Sequence, residues 1–115
     1  MKKYIVLVSI LLATASSYAQ QNKKKVIHVD KGDLIETTYF YADGSIEQQG
    51  TFNKNGKLHG LWTSYDVKGE KTASGKYDNG HKVGTWTFWT EGTIKKVEFD
   101  KSKIVKVVEK DKQSI

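Results

Sequence analysis

The sequence predicts an all-β fold, an antiparallel meander of repeated β-hairpins that forms an elongated, largely single-layer sheet. Gly56–Tyr65 aligns with Gly80–Trp89 at a constant offset of 24 residues, and self-similarity at such a period is typical of repeat architectures. Asn-Gly and Asp-Gly pairs suit tight hairpins, because a type I′ turn needs positive φ at both central residues. Turn dipeptides ending in glycine recur at regular intervals: Asp43-Gly44, Asn55-Gly56, Lys68-Gly69, Asn79-Gly80 and Glu91-Gly92.

The strands are predicted between these turns, and no segment has a convincing helical pattern. Val26–Val29 is a short strand that ends at the turn residues Asp30–Asp33. Leu34–Tyr41 is rich in β-branched and aromatic residues, which favour strands. The remaining predicted strands are Ser45–Phe52, Leu61–Tyr65, Glu70–Tyr77, Thr85–Trp89, Thr93–Phe99 and Ile104–Glu109.

The first residues predict export. Lys2 and Lys3 precede the apolar run Tyr4–Ala13, and the small-residue stretch after it ends in Ser17-Tyr18-Ala19. This is the pattern of a secretory signal peptide, and the apolar run is too short for a bilayer-spanning helix. An uncleaved membrane anchor is the alternative. We expect cleavage after Ala19 and a periplasmic or extracellular product, with a flexible leader at 20–25, a single β-repeat domain at 26–110 (full repeats at about 50–92) and a tail at 111–115.

The amino-acid composition argues against several classes of function. The 19 basic residues are all lysine and the formal net charge is +6. Arginine reads guanine edges and grips phosphates in a bidentate fork, so its absence argues against specific nucleic-acid binding. The chain has no cysteine, which excludes disulfides and an acylated lipoprotein. After the signal peptide, no transmembrane segment is predicted.

The aromatic residues of the repeat are the candidate site residues. Strand alternation places Trp62 and Tyr65 on opposite faces of the sheet. It also places Trp86 and Phe88 on one face and Trp89 on the opposite face. Two interpretations stay open. The rings cover one another through cross-strand pairing, or part of the aromatic surface stays accessible as a contact patch. The repeat-turn glycines complete the set: Gly44, Gly56, Gly60, Gly69, Gly80, Gly84 and Gly92.

The repeat resembles the variant MORN (membrane occupation and recognition nexus) repeat. The first unit carries Gly50, Phe52, Gly56, Gly60, Trp62, Tyr65 and Gly69, and the second carries Gly75, Tyr77, Gly80, Gly84, Trp86, Trp89 and Gly92. A degenerate half-unit, Tyr41–Gly44, precedes them, and the pattern lapses where Glu98 occupies the position expected for the next glycine. The resemblance implies hairpins laid side by side in one sheet. Bacterial proteins with this variant are often labelled YwqK-type antitoxins.

No catalytic or cofactor motif is present. The histidines His28, His59 and His81 are far apart in sequence and indicate no metal site. We therefore expect an exported, non-catalytic binding or scaffold protein of the cell envelope, whose partner is a protein or another envelope component. The alternative is a structural or immunity-like, antitoxin-type subunit that forms oligomers through its sheet edge, which the lysine-bearing segment Ile104–Glu109 would guard. An exported enzyme of unknown class comes third.

Overall fold

The computed structural model of the protein describes residues 24–111 and contains a single open sheet of eight antiparallel strands. Strands that follow one another in the chain are neighbours in the sheet, from β1 to β8. No helix occurs between residues 24 and 111, so the predicted all-β meander is confirmed. The predicted signal peptide and its cleavage site lie outside the described residues. The strands are β1 Val26–Asp30, β2 Leu34–Phe40, β3 Ile46–Asn53, β4 Gly60–Tyr65, β5 Lys71–Asp78, β6 His81–Thr90, β7 Thr93–Asp100 and β8 Lys103–Asp111.

The predicted strand ends differ most at β6, which begins at His81 rather than near Thr85. Asn79 and Gly80 alone connect β5 to β6, because Asp78 already pairs with His81. Asn79 has φ of 50° and Gly80 has φ of 92°. These are the two positive values that a type I′ hairpin turn requires.

The predicted type I′ turn at Asn55-Gly56 is wrong. Gly56 has φ of 78°, whereas Asn55 is not among the residues with positive φ between 24 and 111. The Gly56 N–H donates to the Asn53 carbonyl at 3.0 Å, and the Asn53 N–H donates to the Lys57 carbonyl at 2.9 Å. This is the three-residue hairpin loop in which only the last residue is left-handed. The Asn53 side-chain oxygen accepts the N–H of Asn55 at 3.0 Å, which stabilises the loop without positive φ at Asn55.

Each repeat contains the same β-bulge. Gln49 pairs with Thr63 and Phe52 bridges to Leu58, so the chain between Leu58 and Thr63 is longer than the chain it faces. Gly60, with φ of 95°, lies inside this insertion. Extra residues bend a strand and redirect its side chains. In the second repeat the equivalent pairs are Ser74 with Thr87 and Tyr77 with Lys82, and the equivalent glycine is Gly84 with φ of 72°.

The core lies on one face of the sheet, which we call the tryptophan face. Trp62 pairs with Gly75 on the next strand, and Trp86 pairs with Val97. Each tryptophan is only 5% exposed. On the same row, Thr37 of β2 is fully buried and pairs with Gly50. Burial is therefore concentrated in a row that crosses the strands near their middle.

The register corrects the expected position of the missing third glycine. Val97, not Glu98, lies opposite Trp86, as Gly75 lies opposite Trp62. Val97 in turn pairs with Val107 of β8. Because Val107 replaces a third tryptophan, Val97 can carry a side chain, and the repeat ends with ordinary apolar contacts.

Candidate functional site

Each repeat tryptophan lies flat on a glycine of the preceding strand. A Cβ added at Gly50 would be 2.0 Å from the ring of Trp62, so only glycine fits there. The Trp62 Nε1–H donates to the Thr51 carbonyl, the next one along that strand, at 2.8 Å. The ring therefore buries its apolar surface and satisfies its one polar group. In the second repeat Trp86 lies on Gly75, and a Cβ added at Gly75 would also be 2.0 Å from the ring. The Trp86 Nε1–H donates to the Lys76 carbonyl at 3.0 Å.

These rings form a continuous aromatic cluster. Tyr77 lies edge-on between Trp62 and Trp86, with centroid distances of 6.4 and 5.0 Å. Phe88 stacks on Trp86 at 6.1 Å, which confirms that these two share a face. Burial raises the pKa of the Tyr77 hydroxyl. The Lys82 Nζ lies 5.2 Å from the Trp86 ring centroid, so a cation lies over this ring. Leu58 occupies the equivalent position of the first repeat. Trp62, Trp86 and Phe88 are thus parts of the core.

Tyr65 and Trp89 are not in this cluster. Tyr65 is half-buried, and its carbonyl accepts the Tyr41 hydroxyl at 2.7 Å. Tyr41, Tyr65 and Trp89 are spaced by the repeat period of 24. Trp89 is also half-buried, but alternation from Trp86 places it on the opposite face of the sheet. The structure therefore separates the candidate aromatics into three core rings, the half-buried Tyr65 and the half-buried Trp89.

Trp89 lies in a groove on that opposite face, formed by β6, β7 and β8 and here called the back-face groove. The groove has a volume of about 530 Å³. Its apolar surface comes from Trp89, from Ile94 directly opposite it, and from Val108 on β8. Ligand sites commonly have volumes of this size, with apolar walls and a few placed polar groups.

The charges of the back-face groove are mainly positive. Lys96 pairs with Thr87 on one side and Val108 on the other, and Lys110 pairs with Ile94. Both lysines are exposed, and none of these cross-strand partners carries a charge. The third lysine differs, because Lys106 lies directly opposite Glu98. Lys96 and Lys110 thus have no charged residue directly opposite them, and Glu98 also lines the groove.

A row of uncharged polar residues leads across the back face to this groove. Its members are consecutive cross-strand partners from β2 to β6, and Thr87 pairs with Lys96 at the groove. Neighbouring strands are separated by roughly 4.8 Å, so the side chains repeat at that spacing. Two pairs within the row are hydrogen-bonded, at 2.9 and 3.2 Å. The row consists of Thr38, Gln49, Thr63, Ser74 and Thr87.

Two of the three histidines, His28 and His59, make side-chain contacts that hold the structure. The His59 Nδ1 accepts the N–H of Asn79 at 3.0 Å and lies 3.7 Å from an oxygen of Asp78, which links two hairpin turns. The His28 Nδ1 lies 2.8 Å from the hydroxyl of the buried Thr37. Within residues 24–111, no group of three or more histidine, aspartate or glutamate side chains is arranged to hold a metal ion.

Compared with known proteins, the sequence matches no protein-family model and no curated protein. Between residues 24 and 111, no helix has the length and apolar character needed to cross a membrane.

Sequence reasoning selected Trp89 but missed the groove residues Ile94, Lys96, Val108 and Lys110. The alternation of β7 and β8 contains the signal for them, but the bulge in β8 between the partners of Glu98 and Phe99 hides their register.

Proposed function

We propose that this protein is an exported, MORN-like repeat module that acts as a non-catalytic binding or scaffold protein in the cell envelope. The observation that carries the proposal is the half-buried Trp89 in an open groove, on the face that the tryptophan core does not occupy. A large aromatic side chain that is left accessible beside charged groups is typical of a recognition surface.

The likeness to MORN repeats is supported by the physical role of the motif residues. Gly50 accommodates the indole ring of Trp62, and Gly60 supplies the positive φ of the bulge that precedes that tryptophan. The second unit repeats both features in the same register, at Gly75 and Gly84. The motif is therefore a packing device. It packs one face of the sheet and leaves the second face available for binding.

Export is the first part of this proposal to test. The start of the sequence predicts that the mature chain begins at Gln20. Intact-mass measurement of the protein recovered outside the cytoplasm should give the mass of residues 20–115. A full-length species retained in the membrane would contradict the proposal. It would also favour the antitoxin-type role, which requires contact with the cytoplasm.

Binding to the envelope is the second part. Purified wild-type protein should co-sediment with insoluble envelope material from the producing cell. Trp89→Ala should weaken this association by about tenfold, because aromatic anchors carry a large share of binding energy. Leu61→Ala is the matched control, since Leu61 is 56% exposed on the same face but lies outside the groove. Equal sedimentation of wild type and Trp89→Ala would contradict a binding role for the groove.

A structural or immunity-like subunit remains the second candidate, because β8 forms an edge of the sheet. Ile104, Val105 and Val107 are each more than half exposed there, and exposed apolar edges are templates for strand pairing. Lys103 and Lys106 disfavour such pairing, as does the bulge in this strand. Size-exclusion chromatography of the same preparation separates the two candidates. A monomer supports the binding module, and a larger species supports the edge-pairing subunit.

A further inference from the structure

We infer that the back-face groove binds an acidic oligosaccharide, a short run of sugar rings that carry carboxylates. This inference rests on the proposed function as an envelope-binding module and names the chemical class of its ligand. It draws on three observations: the accessible indole, the two lysines with no charged residue directly opposite, and the row of uncharged polar residues.

The apolar part of the groove suits a sugar ring. Trp89 is half-buried and lies directly opposite Ile94, which restricts its motion, so little side-chain entropy is lost on binding. The C–H face of a pyranose is flat and weakly apolar, and it can lie on an indole as an aliphatic side chain does. A volume of about 530 Å³ accommodates more than one such ring.

The charged part of the groove suits carboxylates. Lys96 pairs with Val108, and Lys110 lies two residues further along the same strand. The two lysines are therefore diagonal neighbours, with backbone positions roughly 7–8 Å apart. Each ammonium group can donate charge-assisted hydrogen bonds to one carboxylate. Because no charged residue lies directly opposite either lysine, both ammonium groups can face a carboxylate of the ligand.

The row of uncharged polar residues can bind the part of the oligosaccharide that extends out of the groove. Thr87 lies between Lys96 and Ser74 in the cross-strand pairing, and Thr63 follows Ser74. These side chains donate and accept hydrogen bonds, as sugar hydroxyls do. Their spacing of roughly 4.8 Å is close to the length of one ring in an extended polysaccharide.

Other partners fit this face less well. An extended peptide pairs with sheet edges through its backbone, whereas the backbone groups of β6 and β7 are engaged with neighbouring strands. The peptide would therefore leave its own N–H and C=O groups without partners on Trp89 and Ile94. A planar bilayer cannot follow a concave groove. The observations thus favour a ligand made of sugar rings that carry hydroxyl groups.

The test titrates the protein with a galacturonate oligomer of four residues and follows tryptophan fluorescence and binding heat. We expect saturable binding that changes Trp89 emission, and binding at least about tenfold weaker for the fully methyl-esterified oligomer, which keeps the rings and loses the charges. Lys96→Gln and Lys110→Gln should each weaken binding by about tenfold, and Trp89→Ala by a similar factor. Lys68→Gln removes the same charge from the exposed turn between β4 and β5 and should bind as wild type does.

Several results would overturn the inference. Equal affinity for the esterified oligomer would remove the role of charge. Equal affinity for polyglutamate would indicate an acidic polypeptide, and binding only to phosphatidylglycerol vesicles would indicate a membrane. Trp89-dependent envelope binding without oligomer binding would end this inference and leave the proposed function standing. Loss of both would end both.

Discussion

Gly75→Ala is expected to destabilise the protein by about 3 kcal/mol or more, the upper part of the range for overpacked cores. The new Cβ would be 2.0 Å from the Trp86 ring, inside a cluster in which Trp86 is 5% exposed. The ring must move off the strand, which breaks its hydrogen bond to the Lys76 carbonyl and its contacts with Tyr77. Thermal unfolding should show a loss of more than roughly 12 °C for a domain of this size.

Gly69→Ala is the matched control for this substitution. Gly69 has φ of 89° and nothing within 4 Å of an added Cβ, so its cost is backbone strain alone, about 1–2 kcal/mol. A second comparison isolates the contact itself. In the Gly75→Ala background, Trp86→Ala should cost much less than it does in wild type, because the clash has already displaced the ring. Additive costs would show that Gly75 and Trp86 do not depend on each other.

Trp86→Ala is expected to cost about 3–5 kcal/mol, and Trp89→Ala about 1 kcal/mol or less. Trp86 contacts Tyr77, Phe88 and Phe99 within the core, and its removal leaves a cavity at the centre of the tryptophan face. Trp89 is half-buried and outside that cluster, so its loss removes surface contacts only. Chemical denaturation of the two variants side by side measures both values.

This comparison also tests whether the sheet has one buried face or two. If Trp89→Ala destabilises the protein as much as Trp86→Ala, the back face is as tightly packed as the tryptophan face. An accessible groove would then not exist, and both the binding proposal and the oligosaccharide inference would lose their basis. Collisional quenching gives an independent check, because Trp62 and Trp86 are each 5% exposed and should be protected.

The turns and strands were predictable because their signals are local. Asn79-Gly80 predicts a type I′ turn from the φ preferences of the two residues, and the structure has positive φ at both. The same argument fails at Asn55, where the side chain of Asn53 accepts the Asn55 N–H and selects a longer loop. A dipeptide shows that a turn exists, but residues on either side of it decide which turn forms.

The candidate site was predictable only in part. Alternation within one strand correctly separates Trp86 and Phe88 from Trp89, because three residues lie on one short segment. It does not show that Lys96 and Lys110 lie beside Trp89, since that depends on how β7 and β8 are aligned. Each repeat and β8 contain extra residues at a bulge, and a shift of one residue would move every side chain to the other face.

The sequence by itself determined that this chain forms hairpins, where they turn and which residues repeat, because glycine and aromatic preferences act within a few residues of the chain. Only the tertiary structure decided that Gly50 and Gly75 are there for the tryptophan rings, and that Val97 rather than Glu98 ends the series. Only it decided that Trp89 shares a groove with Lys96, Lys106 and Lys110. These facts depend on register between strands, which is set by bulges and by close packing across the sheet rather than by the local pattern of any one strand.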